Sequence, residues 1–152
     1  MSSSRGLAVG DLWNDGRTSA VVSNMNAPPM LLVNDARNGN HWIAFRTIGA
    51  SFSSGSGVTK SNRDGIGAKI TVKAGTRILV DEVRSGSSYI SNNDMRVHFG
   101  LGSVAKIDSV QVRWPSALVE RFENLPVDAV HTLKEGSGTP VSGAIGANLP
   151  KR

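Results

Sequence analysis

The chain has 152 residues, a net charge of +5 and no cysteine. That length suits one domain, or one domain with an attached fragment, and is enough to bury a core. Without cysteine there is no disulfide, no thiolate zinc site and no cysteine nucleophile. No apolar run approaches the ~18–20 residues that a membrane-spanning helix needs.

The positive charge favours acidic partners such as polyanionic glycans, nucleic acid or anionic surfaces. The charges are scattered, however, with no dense Lys/Arg run, which also fits a solvated surface. Aromatic residues make up 5% of the chain, with a single tyrosine. A stacking platform for single-stranded nucleic acid is therefore not expected.

Taken in order, Leu7–Val9 and Ala20–Val22 read as short strands around the turn Asp11-Leu12-Trp13-Asn14-Asp15-Gly16. This segment resembles an FG-GAP/VCBS repeat, a β-propeller blade unit with a calcium loop. Such loops place oxygen ligands at alternate positions, with a glycine for the sharp turn. Here those positions are Asp11, Trp13, Asp15, the Arg17 backbone and Ser19. Trp13 cannot ligate, and Ser19 stands where a carboxylate is expected. The resemblance thus implies at most weak Ca2+ binding through Asp11, Asp15 and Ser19. The alternative is a ligand-free turn held by Asp and Gly chemistry.

Pro28-Pro29 marks a turn before the apolar run Met30–Val33, which suggests burial on both faces. His41–Ile48 is a further strand, with Trp42, Ala44 and Arg46 on one face and Ile43, Phe45 and Thr47 on the other. One blade-like repeat cannot cover its own faces. Residues 1–48 are therefore expected to be a repeat remnant and linking strand, packed on the main domain to complete one β-sandwich. Otherwise they expose edges that drive self-association.

Gly49–Lys60 is a Gly/Ser-rich loop. Asn62-Arg63-Asp64-Gly65 reads as a tight turn. Strands follow at Ala68–Lys73 and Arg77–Arg84, where Asp81 and Glu82 suggest a solvated face or pairing with Arg77 or Arg84. A loop through Tyr89 and the polar turn Ser91–Asp94 lead to a strand at Met95–Phe99. Gly100-Leu101-Gly102 is expected to turn. Ala105–Trp114 is the longest clean strand, Pro115-Ser116-Ala117 turns the chain, and Leu118–Phe122 and Val130–Leu133 complete the set. Residues 136–152 lack periodicity and read as a flexible tail. The expected fold class is all-β, an antiparallel β-sandwich or barrel-like module of short strands.

Three pieces carry a second resemblance: Asn62-Arg63-Asp64 with Gly67-Ala68, His98-Phe99-Gly100-Leu101-Gly102, and Arg113-Trp114-Pro115-Ser116. In this order they resemble the ASPIC/UnbV domain, a cartilage acidic protein-like C-terminal module. The resemblance covers Gly39 to Glu135, places the main domain at residues 49–135 and implies a secreted or extracellular protein. Met1-Ser2-Ser3-Ser4 is not a signal peptide. The chain is therefore expected to be a truncated form of an exported protein. Ala117 stands where the family commonly has glycine.

Catalytic patterns are sparse. No G-x-S-x-G elbow occurs, although Ser87 or Ser88 with His98 would make a conceivable serine–histidine pair. A zinc site would need His41, His98 and His131 to converge without any H-x-H or H-E-x-x-H spacing. Asp64, Asp81, Glu82 and Asp94 offer carboxylates for a glycoside-cleaving pair, but nothing separates them from surface acids.

The remaining candidates are loop-borne and polar: Asn62, Arg63, Asp64, Arg84, Ser87, Ser88, Tyr89, Asn92 and Asp94, with Asn93 beside them. Amides, hydroxyls and an aromatic face suit a sugar, and Arg63 and Arg84 suit an anionic group. The competing reading is ordinary turn chemistry. The expected function is a non-catalytic extracellular binding module for a glycan or protein ligand. The alternative is a small hydrolase using a carboxylate or divalent-metal site. A third reading is a cap on a propeller in the parent protein, self-associating when isolated.

Overall fold

The computed structural model describes residues 3–50 and 60–142. Most of the expected Gly/Ser loop and the end of the expected tail lie outside them. Among the described residues there is no helix, and eleven strands form three sheets.

The first sheet is a meander of β1 (Ser3–Gly10), β2 (Ser19–Met25) and β3 (Met30–Leu32). The second holds β4 (His41–Ile48) between β7 (Val97–Gly102) and β10 (Ala129–Lys134). The third runs β11 (Thr139–Pro140), β9 (Val119–Phe122), β8 (Ser109–Arg113), β5 (Lys69–Ala74) and β6 (Arg77–Glu82). All pairings are antiparallel except β10 on β4. No barrel closes, and the architecture is sandwich-like.

Period-two alternation explains the core. Ile43 and Phe45 of β4 pair with Phe99 and Val97 of β7, so their side chains share one face. Ile70 and Val72 of β5 pair with Val112 and Val110 of β8 in the same way. These residues, with Leu101, Trp114 and Leu133, form one buried cluster between the second and third sheets. Phe45 and Phe99 meet edge to face, with ring centroids 6.0 Å apart.

β4, read from the sequence as a linking strand, is the central strand of its sheet. It is also covered on both faces. Trp42 and Ala44, which alternate away from the core, are buried as well. Part of their cover is the turn between β1 and β2, where a Cβ on Gly16 would lie 2.2 Å from Trp42 Cδ1.

Several strand boundaries differ from the expectation, among them those of β7 and β8. Gly100-Leu101-Gly102 does not turn. β7 continues through it, because Leu101 is fully buried in the core and extends the apolar alternation. The left-handed backbone is confined to Gly102, at φ +63°, where the register against His41 and Trp42 shifts. β8 begins at Ser109 rather than at Ala105. Upstream of it, Val104 N–H returns to the Leu101 carbonyl at 3.4 Å, and Asp108 accepts from Gly75 N–H at 2.9 Å. The first bond closes the turn that ends β7, and the second ties the approach to β8 to the β5–β6 turn. Within the expected tail, Thr139 and Pro140 pair with β9.

Candidate functional site

Two of the three motif segments, at Asn62–Ala68 and Arg113–Ser116, build an internal brace. Asn62 bonds both backbone groups of Ile66, at 2.8 Å each. Thr47 Oγ1 donates to the Asp64 carbonyl at 2.7 Å. Trp114 Nε1 donates to Glu120 Oε2 at 2.6 Å. Glu120 is fully buried and also accepts from Gly136 N–H at 3.0 Å and Gly138 N–H at 2.8 Å. A buried carboxylate needs such partners to remain in the core.

Glu135 gathers Ala50 N–H at 2.7 Å, Ser61 Oγ at 2.9 Å, and the Ser116 hydroxyl. Burial pushes its carboxyl up, but the hydrogen bonds from Ser116, Ala50 and Ser61 outweigh this and hold it below the ordinary range. Arg63 pairs with its neighbour Asp64 at 2.9 Å, and that contact depresses the Asp64 carboxyl. Asn62, Arg63 and Asp64 therefore serve the turn and do not line either cleft described below.

Two clefts open where the first sheet meets the sandwich. This seam is closed by the segment after β6. Asp94 N–H bonds the Val9 carbonyl at 2.9 Å, Asn93 Oδ1 accepts from Val9 N–H at 3.0 Å, and Ser91 Oγ donates to the Leu7 carbonyl at 2.9 Å. Arg96 reaches across to the Asp11 carbonyl at 2.7 Å and to Asn14 Oδ1.

Behind these contacts, Trp42 and His98 stack face to face, with centroids 5.5 Å apart and planes 4° apart. His98 Nε2 is buried without a hydrogen bond of ordinary geometry. Burial lowers the imidazole pKa, more than Asp11, the Gly16 backbone and Asp94 raise it. The ring is neutral at neutral pH.

The first cleft encloses about 300 Å³ and mixes both charges. Asp81, Glu82, Arg84, Ser87, Asn93, Asp94, Arg96, His98 and Asp11 all line it. Of the loop candidates, Arg84, Ser87 and Asp94 are therefore brought together. Asn92 caps the neighbouring loop, accepting from Gly86 N–H at 2.8 Å. Ser88 bridges to Ser91, and Tyr89 stands 63% exposed outside the cleft.

Two of the acids, Asp81 and Asp94, are paired with arginines. Asp81 pairs with Arg84 at 3.0 Å. Asp94 accepts from Arg96 Nε at 2.7 Å and from Arg96 N–H at 3.0 Å. Burial raises the Asp94 carboxyl, but the Arg96 contacts outweigh it and the pKa falls. No hydrogen bond joins Ser87 to His98.

The second cleft, of about 630 Å³, lies on the other side of His98. Its lining includes Arg17, Arg37, Arg77, His41, Trp42, three asparagines and one carboxylate, Asp15. His41 and His98 share this cleft, but His131 bonds the Pro126 carbonyl at 2.8 Å and is not in its lining. Among the described residues no group of three or more acids and histidines is placed to hold a metal.

The calcium-type oxygens are engaged within the chain itself. Asp11 accepts from Asp15 N–H at 3.1 Å and Gly16 N–H at 2.8 Å. Asp15 carries the Arg17 guanidinium, at 3.0 Å through Nε, and this contact depresses its pKa. Ser19 Oγ accepts from Asn34 N–H at 3.1 Å. The loop's oxygens hold its own turn, and a positive side chain already occupies one of its two carboxylates.

Sequence reasoning missed Arg96, the Trp42–His98 stack, the buried Glu120 and the half-buried Glu135. A signal for Arg96 exists. Asp94-Met95-Arg96 repeats the spacing of Asp15-Gly16-Arg17, and in both the arginine N–H and guanidinium return to the acid.

These features define a β module, helix-free among the described residues, with a polar seam. The chain belongs to the ASPIC and UnbV family, whose model matches residues 57–140. The match starts after β4, so the first sheet lies outside it. No curated protein matches the chain.

Proposed function

We propose that this is a non-catalytic interaction module of an exported protein, and that it holds a sugar in the 300 Å³ cleft. The observation that carries the reading is the pairing inside that cleft. Arg84 is paired with Asp81, and Arg96 with Asp94, so the lining carries both donors and acceptors. Vicinal sugar hydroxyls both donate and accept, and match such a lining. The volume lies at the low end for small-ligand pockets. The hydrolase alternative is less well supported. Asp11, Asp81 and Asp94 already accept from backbone N–H or guanidinium groups, and the Arg96 contacts hold the Asp94 carboxyl below its ordinary range, which makes it a weak base.

A panel of neutral mono- and disaccharides, titrated by calorimetry, tests the reading. Arg84→Ala and Ser87→Ala should each weaken binding by about tenfold, one charge-assisted or shared hydrogen bond's worth. Arg63→Ala, in the outlying turn, should not change it. Absence of binding across the panel, or binding indifferent to Arg84→Ala, removes the proposal.

A second reading rests on the first sheet. Val21 pairs with Leu31 on one face, and Leu7 and Met30 flank Val22 on the other. Leu7, Val21, Met30 and Leu31 are all exposed. A sheet apolar on both faces is made to be sandwiched. It fits an FG-GAP/VCBS-like unit covered by a neighbouring repeat of the parent protein.

A further inference from the structure

The larger cleft beside Trp42 has no role in the sugar site just proposed, yet its chemistry is one-sided. Of its three arginines, Arg17 is neutralised by Asp15 and also feels Asp35. His41 bonds Asp128 at 2.7 Å. Arg37 and Arg77 have no acidic partner among the described residues. Arg77 is held in place by its Nη1 donating to the Leu101 carbonyl at 3.1 Å, which leaves its other N–H groups free to donate outward.

The asparagines add to the bias. Asn34 Oδ1 accepts from Ala36 N–H and Asn38 Oδ1 from Asn40 N–H, both at 3.1 Å. Their acceptors are used locally, and their amide N–H groups remain for a ligand. The concavity therefore offers many donors and few acceptors. That complements an acceptor-rich anion.

We infer that this cleft binds a sulfated or carboxylated sugar chain, with Arg37 and Arg77 on its anionic groups and the asparagine amides on its hydroxyl and ring oxygens. Guanidinium forks suit planar carboxylate and tetrahedral sulfate oxygens. Nucleic acid fits less well. Binding of single strands relies on open aromatic faces, and the indole of Trp42 is stacked on His98.

The experiment uses the intact chain, with sulfated dextran as the probe and unsulfated dextran and duplex DNA as comparisons. Binding of sulfated dextran should weaken as salt rises, and unsulfated dextran should not bind this cleft. Arg37→Ala and Arg77→Ala should each raise the Kd by about tenfold. Arg113→Ala, an exposed cation elsewhere, lowers net charge equally and should leave the Kd within about twofold. Arg77→Lys keeps the charge, and its partial rescue separates charge from the fork.

Equal weakening by Arg113→Ala would assign the binding to net charge and overturn the inference. So would duplex DNA binding as tightly and responding to the same variants. The Arg84→Ala variant should bind sulfated dextran normally, so this site and the neutral-sugar cleft stand or fall separately.

Discussion

Gly16 shows how much one residue decides. It adopts φ +83°, which side-chain-bearing residues rarely accept. It also lies so close to Trp42 that a methyl group would overlap the indole. The turn alone explains the glycine at sequence level. Its contact with a tryptophan far along the chain does not show there. Gly16→Ala should destabilise the protein by at least about 2 kcal/mol, combining backbone strain with overpacking. Urea denaturation measures it, and the near-UV signal of the Trp42–His98 stack should weaken. An unchanged midpoint would mean the seam is not packed this way.

Glu120 gives the opposite lesson. In Val119-Glu120-Arg121-Phe122 it reads as an ordinary polar position of a short strand. It is buried because a tryptophan N–H and two turn amides converge on it. Those donors come from other segments, so no local pattern announces them.

At the scale of elements, the motifs turn out to be joints. Ser61, Ser116 and the chain at Ala50 all meet on Glu135 at the end of β10. The Glu135 carboxyl has a folded pKa below its ordinary 4.5, so folding favours its ionised form. That stabilisation is complete above pH 4.5 and drains away as the pH falls through the folded value. Glu135→Gln should therefore flatten the acid limb of a Tm-against-pH curve. A variant with the same acid slope as the parent would show that the junction does not depend on the charge.

Ala117 fits the same picture. It holds φ +71° in the turn after Trp114, where Ala117 N–H bonds the Trp114 carbonyl at 2.9 Å. Alanine keeps here a left-handed geometry that glycine adopts at lower cost.

For the whole molecule, the first sheet is the exposed partner. It docks on the sandwich through one edge and the β1–β2 turn, while apolar side chains on both its faces meet solvent. The outer edge at β3 is unpaired and carries no charge across Met30, Leu31 and Leu32. Such an edge recruits other strands. Light scattering should show a mass rising with concentration above the 16.0 kDa of one chain. Leu31→Lys should restore the monomer. A wild-type protein that stays monomeric throughout would remove the reading of this sheet as a covered repeat unit.

Legible in the sequence were the all-β class, the two alternating faces of β4, the turns at 62–65 and 115–117, and the family. Each is a local property, set by period-two alternation and by the few residues that tolerate turn geometry. The tertiary structure alone decided that β4 is central and covered on both sides, that β10 joins it in parallel, and that Leu101 belongs to the core. It also decided which polar residues meet. Of the loop candidates, Arg84, Ser87 and Asp94 enter one cleft, while Asn62, Arg63 and Asp64 do not. Arg37 and Arg77 line the other. Clefts are assembled from segments far apart in the chain, and their convergence follows from long-range packing that no local period encodes.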